Sequence, residues 1–413
     1  MPQAASLFIL PEKKPRLREI FEKELAQVNL DLCLTCGMCA SGCPAAGIEG
    51  MDPRKLLRLI ILGADEEVLS SPWIWVCTMC NRCKHVCPMN IDLAKIVHRL
   101  RGISREEKKP AYISNLELTC KYQVERGNST GIPNEDFVWL VNDLLEEVHQ
   151  DPAWKDLKAP IDQKGAAYFV NENAANPTFT PEEMIKIWKI FHVVGLDWTY
   201  SSTWWDGANY CIFTGDNAAW EYTVRKQVER VEELECRYFV ITECGHIHYA
   251  LLEGVRRFNI PHRFEFVSII TLYARWIREG KLRVDPSWNK NGLRVTVQDP
   301  CKLVRQTLGE EGAQDLRFVI KAVVGEENFV DMYPNASNNY CCGGGGGAVQ
   351  IDLTPKRLAM GRKKFEQIEA TGADIVVTPC FNCHSQIKEL ARHYGGRYKA
   401  VHLWDLIEKA LKP

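Results

Sequence analysis

Four cysteines at a fixed spacing, closed by a proline, occur twice near the start of the chain. Cys33-x2-Cys36-x2-Cys39-x3-Cys43-Pro44 returns as Cys77-x2-Cys80-x2-Cys83-x3-Cys87-Pro88. In such a run three thiolates wrap one corner of an iron–sulfur cubane, and the fourth, before the proline, reaches the neighbouring cluster. The spacing predicts two [4Fe–4S] cubane clusters, one on Cys33, Cys36, Cys39 and Cys87, the other on Cys77, Cys80, Cys83 and Cys43. The small residues Gly37, Ala40 and Gly42 let backbone amides approach the sulfides, while Pro44 and Pro88 turn the chain away. Zinc is the competing reading. A zinc site, however, usually pairs two short motifs for four ligands, and here each run already carries four.

In all, 17 cysteines stand among 413 residues. The number is odd and many lie two or three residues apart, which favours metal or redox chemistry over a disulfide framework. Cys120, Cys211 and Cys236 read as inert. Otherwise the composition is that of a soluble globular protein of two to three domains, with 25% charged and 10% aromatic residues. A formal net charge of -2 leaves no general field for nucleic acid. The bases at 98–109 read as a solvated helix face. No apolar run approaches the ~18 residues of a spanning helix. In residues 1–20 the apolar patch at 7–10 precedes the charges and no secretory cleavage site follows it.

A second cysteine group closes the chain: Cys301-x39-Cys341-Cys342-Gly343, then Cys380-x2-Cys383. Five thiolates exceed the four that a cubane or a zinc ion takes. Adjacent cysteines do not sit comfortably on one face of a cubane, but suit a more open assembly. The glycines at 343–347 allow positive φ and close approach to sulfide, so Gly343 and Gly344 are the expected cofactor contacts. A phosphate cradle is disfavoured, because the Lys-Ser/Thr ending of a P-loop is missing.

Helical periodicity marks 16–27, 53–62, 92–101 and 136–149. From about residue 165, strand-like runs at 166–170, 238–242, 293–297 and 375–378 alternate with helical segments, which suggests parallel α/β units. The expected architecture is α+β and multidomain. A helical, ferredoxin-like two-cluster domain fills 1–105, a linker or insertion 106–160, and two related α/β halves 161–290 and 291–413. The halves align internally: Thr242-Glu243-Cys244 with Thr378-Pro379-Cys380, and Trp204-Trp205 with Cys341-Cys342. The offsets are 137 residues from 205 to 342 and 136 from 244 to 380.

The CCG pattern behind a doubled cluster-binding run resembles the catalytic subunits of heterodisulfide reductases, with wire and CCG subunits fused. Asp52-Pro53-Arg54-Lys55-Leu56-Leu57-Arg58, Leu62-Gly63 and Ile74-Trp75-Val76-Cys77-Thr78-Met79-Cys80 carry further likeness. The resemblance implies a noncubane [4Fe–4S] cluster on Cys301, Cys341, Cys342, Cys380 and Cys383, performing disulfide reduction. Two-site members carry two full CCG sets. Here Trp204, Trp205 and Ile247 stand at three cysteine positions of the first half, and Cys244 survives. This single-set form resembles the Dsr and Tmc complex subunits (DsrK-like type) of sulfate-reducing microbes. Their implied partners are a membrane cytochrome b-type, quinone-reactive subunit and a small protein bearing a disulfide or trisulfide. The implied location is cytoplasmic, peripheral on the membrane through those partner subunits.

Reduction of a disulfide needs two electrons and a proton donor for the leaving thiolate. Cys244, His246, His248 and His384 are the candidates nearest the strand-end cysteines, against packed structural roles for each. Trp204 and Trp205 are expected to fill the lost cluster's space. Two other readings stay open. One is an electron-transfer subunit of a flavin-dependent dehydrogenase oxidising glycolate or glycerol phosphate. The other is a zinc-stabilised C-terminal module.

Overall fold

In the computed structural model residues 16–412 are described, so the apolar patch at 7–10 lies outside the described residues. The helix Pro53–Leu62 forms where the periodicity places it. Asp52 accepts the Lys55 N–H at 2.9 Å, Pro53 opens the first turn, and Gly63 closes the helix at φ 79°. The N-terminal helix Arg16–Glu24 stops short of the predicted end, whereas Leu93–Glu107, capped by Asp92, runs past it. Its basic face is only partly solvated: His98 and Arg101 are buried against other parts of the chain, Arg99 and Arg105 are half-buried, and Lys108 and Lys109 are exposed.

The two cysteine runs share one backbone form. Thr35 and Gly37 flank Cys36 at φ 56° and 82°, and Met79 and Asn81 flank Cys80 at 48° and 60°. Short helices, Met38–Ser41 and Arg82–His85, follow each. A non-glycine residue in this region costs roughly 1–3 kcal/mol and persists where the surroundings impose it.

The segment read as a linker holds two packed helices, Ser114–Arg126 and Asn134–Val148. The first escaped periodicity because its buried face, Leu116, Thr119, Cys120 and Gln123, is half polar. Beyond it come two small parallel sheets. In the first, β1 (Tyr168–Val170), β2 (Trp198–Thr199), β3 (Tyr238–Ile241) and β4 (Glu265–Ser268) are ordered β2-β1-β3-β4. In the second, β5 (Val295–Val297), β6 (Ile375–Val377) and β7 (Lys399–Val401) are ordered β5-β6-β7. Every pair within the sheets is parallel. The α+β class and the parallel pairing are as the sequence indicated. β2 has only two residues, and β4 and β7 open on the charged Glu265 and Lys399, so none of the three stands out in it.

Two apolar cores fix the layers. One joins Trp73, Trp75 and Ile96 of the cysteine-run region to Trp220 and Phe239 of the first sheet layer and to Cys341, Cys342, Cys380 and Cys383. The other joins the two sheets through Val170, Val240, Val297, Val377 and Trp404. The C-terminal cysteines therefore lie where all three parts meet. Among the described residues no helix is long and apolar enough to cross a membrane.

Candidate metal centres and redox site

Cys33, Cys36, Cys39 and Cys87 line a single cavity with Cys83, Leu34, Met38, Leu57 and Ile91. It encloses about 440 Å³ of atom-free space, part of it open to solvent. Burial, then the neighbouring Cys33 and Cys87, push the Cys39 thiol up to about 11. Cys36 is exposed, and Leu34 and Met38 beside it are 65% and 50% exposed.

The other four face one another further in. The Cys83 thiol is held well above the usual range by burial and by Cys80, Cys77 and Cys43. Cys43 is raised likewise, by burial and by Cys77 and Cys80. Cys87 thus lies with the first run and Cys43 with the second. Both sets consist of four thiols. That donor chemistry fits an iron–sulfur cluster better than a mononuclear ion.

The third group stands at the carboxyl ends of parallel strands, where ligands of α/β sheets bind. Cys301 follows β5 and Cys380 follows β6. Cys244 follows β3 in the other sheet. Cys380 and Cys244 are extended N-cap residues, at φ -171° and -152°, of the helices Phe381–Tyr394 and Gly245–Arg257. Each N–H returns to the threonine two residues earlier at 2.6 Å.

These thiols touch in series. Cys80 neighbours Cys341, and Cys341 also neighbours Cys301 and Cys342. Cys342 lies 3.3 Å from Cys383, which pairs with Cys380, which pairs with Cys244. Thiols of Cys341 and Cys383 hold Cys342 well below the usual thiol range, and those of Cys244 and Cys383 do the same for Cys380. The N–H groups of Gly343 and Gly344 donate to Cys341 and Cys342, each at 3.4 Å. Gly343 is at φ 94°, and a side chain on Gly344 would meet the Asn382 carbonyl at 2.7 Å.

The histidines separate by what their nitrogens do. His246 Nδ1 lies 3.1 Å from the Cys244 thiol, and its buried Nε2 has no partner among the described residues. His248 bonds the Cys244 carbonyl and the Ser268 hydroxyl, both at 2.9 Å, so neither nitrogen is free. His384 meets Thr378 Oγ1 at 2.9 Å and stacks on His402. Cys244 is fully buried beside the C-terminal set. Trp205 is buried, stacked on Phe137 at 4.2 Å, with its indole N–H on Asn134. Trp204, at φ 55°, packs edge-on to Tyr222 instead.

Sequence reasoning missed several neighbours of the sulfurs. Thr78 Oγ1 lies 3.3 Å from Cys341 Sγ, Tyr210 sits over His246 and bonds Asn382, and the cations Arg101 and Lys302 are buried nearby. Only Thr78 and Lys302 had a signal, their place beside cysteines. The structure also corrects the reading of Cys120 and Cys211: they form a disulfide, across 91 residues of sequence that hid the pair.

The domain models agree with this geometry. A 4Fe-4S dicluster domain matches residues 29–91 and a cysteine-rich CCG domain matches 295–388. The chain is therefore an iron–sulfur protein of dicluster-plus-CCG type, whose cofactors are two [4Fe–4S] cubanes and the noncubane cluster typical of such CCG domains. Its relatives make the class more particular. It is 24% identical to the Hdr-like menaquinol oxidoreductase iron-sulfur subunit 2 of Archaeoglobus fulgidus, over 88% of this chain and 76% of the relative. The corresponding protein of Archaeoglobus profundus is 25% identical over the same shares. A second Archaeoglobus profundus protein, of heterodisulfide-reductase-like type, is 36% identical over 26% of this chain and 60% of its own length. The resemblance to heterodisulfide-reductase-like iron–sulfur subunits is thus borne out, and it supports an oxidoreductase.

Proposed function

We propose that Cys33, Cys36, Cys39 and Cys87 hold an outer cubane, and that Cys43, Cys77, Cys80 and Cys83 hold an inner one. Cys301, Cys341, Cys342, Cys380 and Cys383 then hold the noncubane cluster, at which a disulfide or trisulfide on a small sulfur-carrier protein is reduced. The observation that carries this reading is the continuous series of sulfurs from Cys80 through Cys341, Cys342 and Cys383 to Cys380 and Cys244.

When bound, the cubanes supply electrons one at a time, and the noncubane cluster offers iron to a substrate sulfur. The chain's residues do the rest. Cys341 and Cys342, with Gly343 and Gly344 N–H groups on their sulfurs, keep adjacent thiolates in place. The apolar core around the site excludes water. Cleaving RS–SR′ consumes two electrons and two protons and yields two thiols. His246, whose Nδ1 lies 3.1 Å from Cys244 and whose Nε2 has no partner among the described residues, is placed to pass one of those protons toward the leaving sulfur. With both nitrogens engaged, His248 orients the Cys244 turn. The matching N-caps at Cys244 and Cys380 support two related halves, the first with its site filled in by Trp205 and Ile247.

Electrons enter at the exposed rim of the outer set, where Leu32, Leu34 and Met38 offer an apolar face to a donor. That donor is read as a membrane cytochrome b-type subunit delivering quinol-derived electrons, with the chain peripheral on the cytoplasmic face. The test is Cys342→Ser in the holoprotein. Disulfide reduction with a viologen donor should vanish while both cubane signals remain. Full activity in that variant overturns the reading, and copurification with a flavoprotein and no thiol activity selects the dehydrogenase alternative.

A further inference from the structure

Arg101, Lys302 and Arg305 crowd the inner cysteine set together with the half-buried Arg82 beside Cys80, and none of the four has a carboxylate partner among the described residues. Arg101 is fully buried, and its guanidinium donates to five carbonyls: Ile74, Trp75 and Cys77 of the second run, Phe213, and Gly346 of the glycine loop, at 2.7 to 2.9 Å. Lys302 is 4% exposed, donates to the Met79 carbonyl at 3.2 Å, and lies over the Tyr249 and Phe213 rings. Its nearest opposite charges are Cys301, Cys80, Cys341 and Cys77. Arg305 donates to the carbonyls of Cys80, Ser337 and Asn339.

Carbonyls satisfy hydrogen bonds but not charge. A buried cation without a counter-anion is strongly disfavoured, so an anion must be supplied. Cys77 of the inner set is in reach of both Arg101 and Lys302, and Lys302 also faces Cys80, Cys301 and Cys341. The acid nearby, Asp92, is paired with Lys84 at 3.0 Å. The outer set differs. The cation near its loop, Arg54, is exposed, and Asp52 lies close to Cys39.

We propose that Arg101, Lys302 and Arg305 are positioning residues that stabilise the reduced inner cubane over the reduced outer one, and so direct electrons from the exposed rim toward Cys341 and Cys342. The inference rests on the ligand sets proposed above. A reduced cluster carries one more negative charge than an oxidised one, and net charge is among the terms that set its potential. Buried cations fixed beside one cubane, against a single exposed one, Arg54, beside the other, make transfer between them downhill in one direction. The carbonyls bonded by Arg101 come from three separate parts of the chain, so the charge is held by the assembled protein and by no single part.

An anaerobic redox titration of the holoprotein, followed by paramagnetic resonance, tests this. Two cubane reduction steps are expected. Arg101→Gln should lower the higher step and leave the lower one in place, Lys302→Met should do the same, and Arg101→Lys should restore much of the shift. Unchanged potentials in both charge-removing variants, or equal shifts of both steps, overturn the proposal. Where Arg101→Gln fails to retain iron, Lys302→Met decides. Loss of disulfide reduction is not the readout, so a wrong substrate assignment leaves this result intact. Iron content shows separately whether the cubane assignment holds.

Discussion

The thiols of Cys80 and Cys341 are neighbours that shift one another, so the second cysteine run and the CCG pair meet sulfur beside sulfur. Thr78 Oγ1, 3.3 Å from Cys341 Sγ, and the glycine loop packed on Thr78 hold that junction closed.

Gly346 is where the junction tolerates least. It lies at φ 63°, and a Cβ there would stand 2.7 Å from the Thr78 carbonyl carbon and 2.8 Å from the Cys77 oxygen. Gly346→Ala should therefore lose more than about 1 kcal/mol and slow electron arrival at the CCG set. Gly345 has ordinary φ and its nearest contact is 3.3 Å, so Gly345→Ala should be milder. Denaturation midpoints of the two variants check the order, and equal losses would contradict it.

Iron analysis separates the cofactor readings. Three clusters require about 12 iron per chain, and Cys342→Ser should fall to about eight. A zinc-stabilised C-terminal module would instead give about eight iron and one zinc before any substitution.

Much of the site is written in local spacing. The doubled run assigns Cys43 and Cys87 across to each other's sets, and the structure brings those sulfurs together. Cys380 and Cys244 are legible because each follows a β-branched run that forms a strand. Cys120 and Cys211 were not, since a bond across 91 residues leaves no local pattern. Arg101 looked like one base of a solvated helix face. Its role depends on five carbonyls from distant segments, which no periodicity contains.

Hydrogen bonding distinguishes the two histidines after Cys244. His246→Gln should leave cluster signals intact and slow disulfide reduction by about 10²-fold, the usual scale for a lost proton donor. His248→Gln breaks buried bonds to the Cys244 carbonyl and Ser268. It should cost about 1–3 kcal/mol in stability. Steady-state rates beside thermal unfolding decide, and a stability loss in His246→Gln with no rate effect would reverse the assignment.

Away from the sulfurs, Glu172 ties stability to pH. Its carboxylate accepts from Asn173 N–H, Asn176 and Tyr200 at 2.8 to 2.9 Å, yet burial pushes it up to about 7. The folded chain then binds a proton that the unfolded chain, with Glu near 4.5, has released. Stability therefore falls as pH rises through that window and levels off above about pH 7, by on the order of 3 kcal/mol in all. Asp206, raised by burial to about 6, adds to the lower part of the same slope. Glu172→Gln removes the larger titration. The denaturation midpoint of that variant, followed by circular dichroism from about pH 5 to about pH 8, should decline less steeply than in the parent protein. An unchanged slope would mean that Glu172 does not carry the proton.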